Sequence, residues 1–147
     1  MTFLCDVMLG KLAKYLRLFG FDAAYARTEA TLRDCLDREP DRVFLTRRRR
    51  VDVSSPVIQI QSEIARAQLL ELRGIIKAAI TKERLFSRCI ECNIELVAVK
   101  REEIEPLVPE FVYHHYHTFM MCPSCKRVFW EGSHTKGMEE LTKEILA

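Results

Sequence analysis

Short apolar runs alternate with helical stripes through the first half of the chain. Thr2-Phe3-Leu4-Cys5 reads as a short strand. Leu9, Leu12, Ala13, Leu16 and Phe19 then recur at helical spacing while Lys11, Lys14 and Arg17 lie off that stripe. The spacing predicts a helix over 8–19, stopped by Gly20. A second strand is expected over 23–26, and a helix over 31–38 that ends before Pro40. A third strand is expected over 42–46 and a fourth over 56–60, after which Ser62 is placed to cap a helix over 63–72. Alternation of strand and helix implies an α/β unit with a mainly parallel sheet. Ligands of such sheets sit beyond the carboxyl ends of the strands. Asp6 falls there after the first strand, and Arg47–Arg50 after the third.

The second half reads differently. A helical connector is expected over 75–86, strands over 95–99, 118–121 and 128–130, and a closing helix over 138–145 with Leu141 and Ile145 on one face. Cys89-Ile90-Glu91-Cys92 and Cys122-Pro123-Ser124-Cys125 are two CxxC knuckles with 29 residues between them. That spacing suits a tetrahedral Zn²⁺ site of the ribbon type. Disulfides or a redox pair are the alternatives, and paired CxxC spacing favours a metal in a reducing compartment. With Cys89, Cys92, Cys122 and Cys125 as ligands the set is complete, so His114, His115 and His117 are expected as ordinary strand or loop residues. A segment of about 60 residues has little core, so such a metal contributes folding free energy directly. The expected division is an α/β domain over 1–80 and a zinc ribbon with its closing helix over 81–147. Cys5, in an apolar run, reads as a buried small hydrophobe.

Apolar content of 48% and charged content of 30% are globular values. No apolar run is long enough to span a membrane, and no basic segment precedes an apolar one at the N-terminus. The expectation is a cytoplasmic protein. The formal charge of +2 hides a division: residues 1–80 carry 14 Lys+Arg against 10 Asp+Glu, and residues 81–147 carry 9 against 11. The first half is therefore the better face for an anion.

Two carboxylates and the arginine run have competing readings. Asp6 could hold Mg²⁺ or Mn²⁺, whose bound water would attack a phosphodiester, or it could cap the helix starting near Met8. Asp34 could be a second metal carboxylate, but Thr31-x-x-Asp34 also has capping-box spacing. Arg47, Arg48, Arg49 and Arg50 suit phosphate contacts or a solvated loop.

Three stretches together are more specific. Residues 3–22 (Phe3-Leu4-Cys5-Asp6 through Lys11, Arg17 and Gly20 to Asp22), Arg88-Cys89-Ile90-Glu91-Cys92-Asn93, and Cys122 through Trp130-Glu131-Gly132-Ser133-His134 resemble the Mut7-C family over nearly the whole chain. The resemblance implies a PIN-like domain fused to a zinc ribbon, and a metal-dependent endoribonuclease acting on RNA. It implies Asp6 and Asp34 as the carboxylates of a Mg²⁺ or Mn²⁺ site. Lys11, Arg17 and the arginine run would be its RNA contacts. One position departs from the pattern: after the third strand the family reads Leu-Thr-Arg-Asp, and this chain reads Leu45-Thr46-Arg47-Arg48. The alternative is a non-catalytic RNA-binding or protein-docking module that keeps the fold.

Overall fold

The computed structural model describes residues 1–130 and 136–147. Gly132-Ser133-His134, part of the resemblance, lies outside the described residues. The N-terminal unit runs β1 (Thr2–Cys5), α1 (Gly10–Leu18), β2 (Asp22–Tyr25), α2 (Glu29–Arg38), β3 (Val43–Thr46), β4 (Val57–Gln59), α3 (Ala65–Glu71) and α4 (Arg73–Ala79). Its sheet is parallel throughout, in the order β2-β1-β3-β4. Alternation along β1 divides the core. Phe3 and Cys5 join a cluster with Leu12, Leu16, Phe19 and Leu69, on the side of α1 and α3. Leu4 joins Leu32 of α2 and Phe44 on the other side. Helices therefore cover both faces, which is why the three buried residues of β1, Phe3, Leu4 and Cys5, are consecutive and apolar.

The chain leaves β1 toward β2 on one side and returns to β3 on the other. The carboxyl ends of β1 and β3 thus flank the point where strand order reverses, the usual ligand crevice of such sheets. Asp6 and Thr46 are both placed there by the ends of their strands.

Several boundaries differ from the sequence reading. Helix α2 begins at Glu29, because Thr28 Oγ1 accepts from Thr31 N and caps it. The proposed capping box at Thr31 and Asp34 is therefore displaced by one turn. Ser62 does not cap α3: its hydroxyl accepts from Ile64 N in a tight turn, and α3 starts beyond it. The expected connector helix ends at Ala79, and turns follow through 87. These turns lie against the end of α1. A Cβ added to Gly20, which has φ +85, would stand 2.1 Å from Arg84 O, so only glycine fits.

The second sheet is antiparallel, β5 (Val97–Val99), β6 (Phe119–Met121) and β7 (Val128–Trp130) in that order. Between β5 and β6 lie α5 (Arg101–Ile104), a 3₁₀ turn over Glu105–Leu107, and α6 (Glu110–His115). His114 and His115 are thus helical rather than strand or loop residues. Helix α7 (Lys136–Leu146) leaves the ribbon. Its Leu141 and Ile145 are buried in the core of the first unit, and Glu144 pairs with Arg66 of α3. The closing helix therefore completes the α/β core.

Candidate functional site

Three groups of residues carry chemistry, and the sheet positions two of them. Asp6, one residue past β1, is 4% exposed. Its Oδ1 accepts from Val7 N at 2.7 Å and Arg48 Nη2 at 3.2 Å. Its Oδ2 accepts from Thr46 Oγ1 at 2.6 Å and Arg48 Nε at 2.9 Å. The side chain does not cap α1, whose N-cap is Leu9 without a side-chain bond. Four donors fill the acceptor sites a carboxylate offers.

Arg48 faces a second carboxylate. Its guanidinium bonds both oxygens of Glu29, the first residue of α2, while Arg48 N donates to Thr46 Oγ1 at 3.0 Å. Hydrogen bonding by Glu29, with the charge of Asp6 behind it, raises the Arg48 pKa further and keeps the guanidinium charged. Asp34 is elsewhere. Five residues beyond Glu29, it lies about 140° around the helix, and it is exposed and paired with Arg38 at 3.0 Å. The acid that meets Asp6 through Arg48 is Glu29, a residue the sequence reading passed over.

A divalent ion does not fit this arrangement. Mg²⁺ and Mn²⁺ need carboxylate oxygens facing open, hydrated space, but a guanidinium occupies the space between these two acids. At about 4 Å and an effective dielectric near 20, that guanidinium repels each unit of ionic charge by about 4 kcal/mol. Among the described residues, the only cluster of three or more metal-ligating side chains is the cysteine set.

A basic cleft lies between α1 and the end of β2. Its volume is about 610 Å³, and Lys11, Lys14, Arg17 and Arg27 line it against one acid, Glu91. Tyr25 forms a wall, tied to the Asp6 loop by its hydroxyl donating to Val7 O at 2.8 Å. Gly10 lets the ring approach: a Cβ there would sit 3.1 Å from it. Lys14 pairs with Glu91 at 3.2 Å, while Lys11 and Arg27 have no acidic partner among the described residues. Arg17 is turned inward, with Nε on Ala23 O at 2.9 Å and Nη1 on Ile90 O at 2.8 Å. The arginine run also divides. Arg47 reaches Glu63 and Arg48 the acid pair. Arg49 and Arg50 are exposed and, among the described residues, free of acidic partners.

The third group is the cysteine set. The sulfurs of Cys89, Cys92, Cys122 and Cys125 all lie within 4.8 Å of one another, with Cys89 and Cys125 at 3.8 Å. A zinc tetrahedron with arms of about 2.3 Å has edges of about 3.8 Å, so the donor set fits a structural metal such as zinc. Both knuckles turn alike. Asn93 N donates to Cys89 O and Lys126 N to Cys122 O, each at 2.9 Å, with Asn93 and Lys126 in the left-handed region. Burial raises the Cys92 thiol to about 12, and neighbouring thiols reinforce the rise. Burial also acts on Cys122, but the amides of Cys125 and Ser124 together with the Cys125 and Cys92 sulfurs outweigh it and lower that thiol to about 7. His114 pairs with Glu110 and His115 stacks on Phe111, so neither belongs to the set.

Among the described residues no helix is long and apolar enough to cross a membrane. A family model described as the Mut7-C RNAse domain matches residues 1–142. No curated protein and no solved structure matches the chain.

Proposed function

The chain belongs to the Mut7-C RNAse domain family, and from that premise we propose that it binds RNA across the carboxyl end of its parallel sheet without cutting it. The observation that carries this reading is the Arg48 guanidinium between Asp6 and Glu29. It provides the positive charge that a divalent ion would otherwise bring to this acid pair. A guanidinium cannot activate a water for attack on phosphorus as a metal does, so the site keeps its electrostatic balance and loses its chemistry. The resemblance expects an acid where Arg48 stands, in keeping with such a replacement.

RNA phosphates are held on both sides of this pair. Lys11, Lys14 and Arg27 serve in the cleft, and Arg49 and Arg50 beyond β3. Arg17, committed to backbone carbonyls, shapes the cleft wall rather than contacting phosphate. Zinc fills the four-cysteine set as a structural ion. With four protein ligands it keeps no open position for catalysis.

The second reading is a Mg²⁺- or Mn²⁺-dependent endoribonuclease, favoured by the buried Asp6 at the strand-order reversal. It requires Arg48, whose side chain is 43% exposed, to swing away. A single-stranded RNA assay with Mn²⁺ decides between them. Wild type is expected to bind RNA with steep salt dependence and leave it intact, and Arg48→Asp to gain cleavage that Asp6→Asn then abolishes. Cleavage by wild type that disappears in Asp6→Asn would establish the endoribonuclease instead.

A further inference from the structure

We infer that the first cysteine knuckle is the lateral partner of the parallel sheet, and that Asn93 and Arg17 couple metal binding at the cysteines to the order of the α/β unit. Strand β2 is the sheet's edge, so one side of it lacks a strand neighbour. At Ala23 both backbone groups on that side are nevertheless satisfied. Asn93 Oδ1 accepts from Ala23 N at 3.0 Å, and Arg17 Nε donates to Ala23 O at 2.9 Å. An amide and a guanidinium thus do at this residue what a fifth strand would do, and they cover an edge that would otherwise invite pairing.

Both side chains are held by the knuckle. Arg17 Nη1 donates to Ile90 O at 2.8 Å and Glu91 O at 3.3 Å, carbonyls inside the first CxxC. Asn93 directly follows Cys92, in the left-handed turn that closes the knuckle. Its Nδ2 donates to Asp22 Oδ1 at 2.7 Å, and Arg42 binds the same oxygen at 2.8 Å while reaching Phe3 O at 3.0 Å. The contacts run without a gap from the cysteines to β1. Lys126 makes the same turn in the second knuckle, which shows that the turn itself does not need an amide side chain. The amide of Asn93 therefore answers to the sheet.

Neither Asn93 nor Arg17 is a metal ligand. A metal that orders the knuckle presents Asn93 and the two carbonyls in place, and the edge contacts form against an ordered partner. By linkage, an ordered edge must strengthen metal binding by the same factor. Loss of the metal returns Ala23 to water.

Asn93→Gly separates these roles, because glycine keeps the left-handed turn at no steric cost and removes only the sheet contacts. In the full chain, titrated with Zn²⁺ against a chromophoric chelator, Asn93→Gly is expected to bind zinc about tenfold more weakly. Arg17→Lys, which keeps the charge but loses the fork, is expected to follow it. Amide exchange by NMR supplies the second readout. The Ala23 amide is expected to lose protection when zinc is withdrawn from wild type, and also in zinc-loaded Asn93→Gly; simultaneous opening of Leu4 would extend the coupling through the sheet. Zinc affinity in Asn93→Gly equal to or above wild type, or Ala23 exchange indifferent to zinc in wild type, would overturn the inference.

Discussion

Arg48 satisfies both oxygens of Asp6 and both of Glu29, so removing it would leave a buried carboxylate beside a second negative charge. Two like charges so placed repel each other and attract another cation. Asp22 shows a comparable dependence at the other edge. Burial raises its pKa, but hydrogen bonds from Arg42 and Asn93 outweigh that and hold it below the ordinary 3.8. A carboxyl depressed by folding contributes stability that is present in full above the unfolded value and is lost as pH falls through the folded one. Urea midpoints for wild type and Asp22→Asn should therefore differ most above pH 3.8 and converge on further acidification. A gap that stays constant or widens as pH falls would contradict this role.

At the scale of elements, α7 follows the ribbon in sequence yet completes the N-terminal core. Ile145 is fully buried beside residues of the first unit, and Arg73 and Lys77 of α4 both bond Ala147 O. Ile145→Ala should cost about 2–5 kcal/mol, as truncation of a buried aliphatic side chain does. The loss should appear in the unfolding transition of the α/β unit, followed by tyrosine signals from Tyr15 and Tyr25, which pack on that core. A loss confined to the ribbon would contradict the packing. The stripe of Leu141 and Ile145 was legible in the sequence, but its destination was not, because periodicity shows that a face is apolar and not what covers it. The same limit explains the acids. Asp6 could be picked out because a strand end places it in the crevice whatever else happens. Glu29 could not, since its position depended on α2 starting two residues earlier than the pattern suggested, under a cap from Thr28. Arg17 was legible as a basic residue off the apolar stripe. Its partners, 73 and 74 residues away, exist only after the knuckle docks. The cysteines were readable because CxxC spacing encodes a metal geometry within each knuckle.

The whole molecule is two sheets joined by a shared seam and a shared last helix. The antiparallel ribbon lends β2 an edge partner through Asn93, while the parallel unit buries the helix that follows the ribbon. Its basic surface is divided in the same way. The cleft of Lys11 and Arg27 opens at the seam, Arg49 and Arg50 lie past β3, and the neutralised acid pair sits at the strand-order reversal between the two sheet sides. An extended anion such as single-stranded RNA suits that arrangement better than a compact one, since its phosphates repeat along its length. Whether Arg48 stands where an ion would is read by counting bound Mn²⁺ with electron paramagnetic resonance on zinc-loaded protein. Wild type is expected to bind none tightly, Arg48→Asp to bind about one per chain, and the double variant with Asp6→Asn to lose it. One tightly bound Mn²⁺ in wild type, released by Asp6→Asn alone, would mean that Arg48 leaves the ion its place.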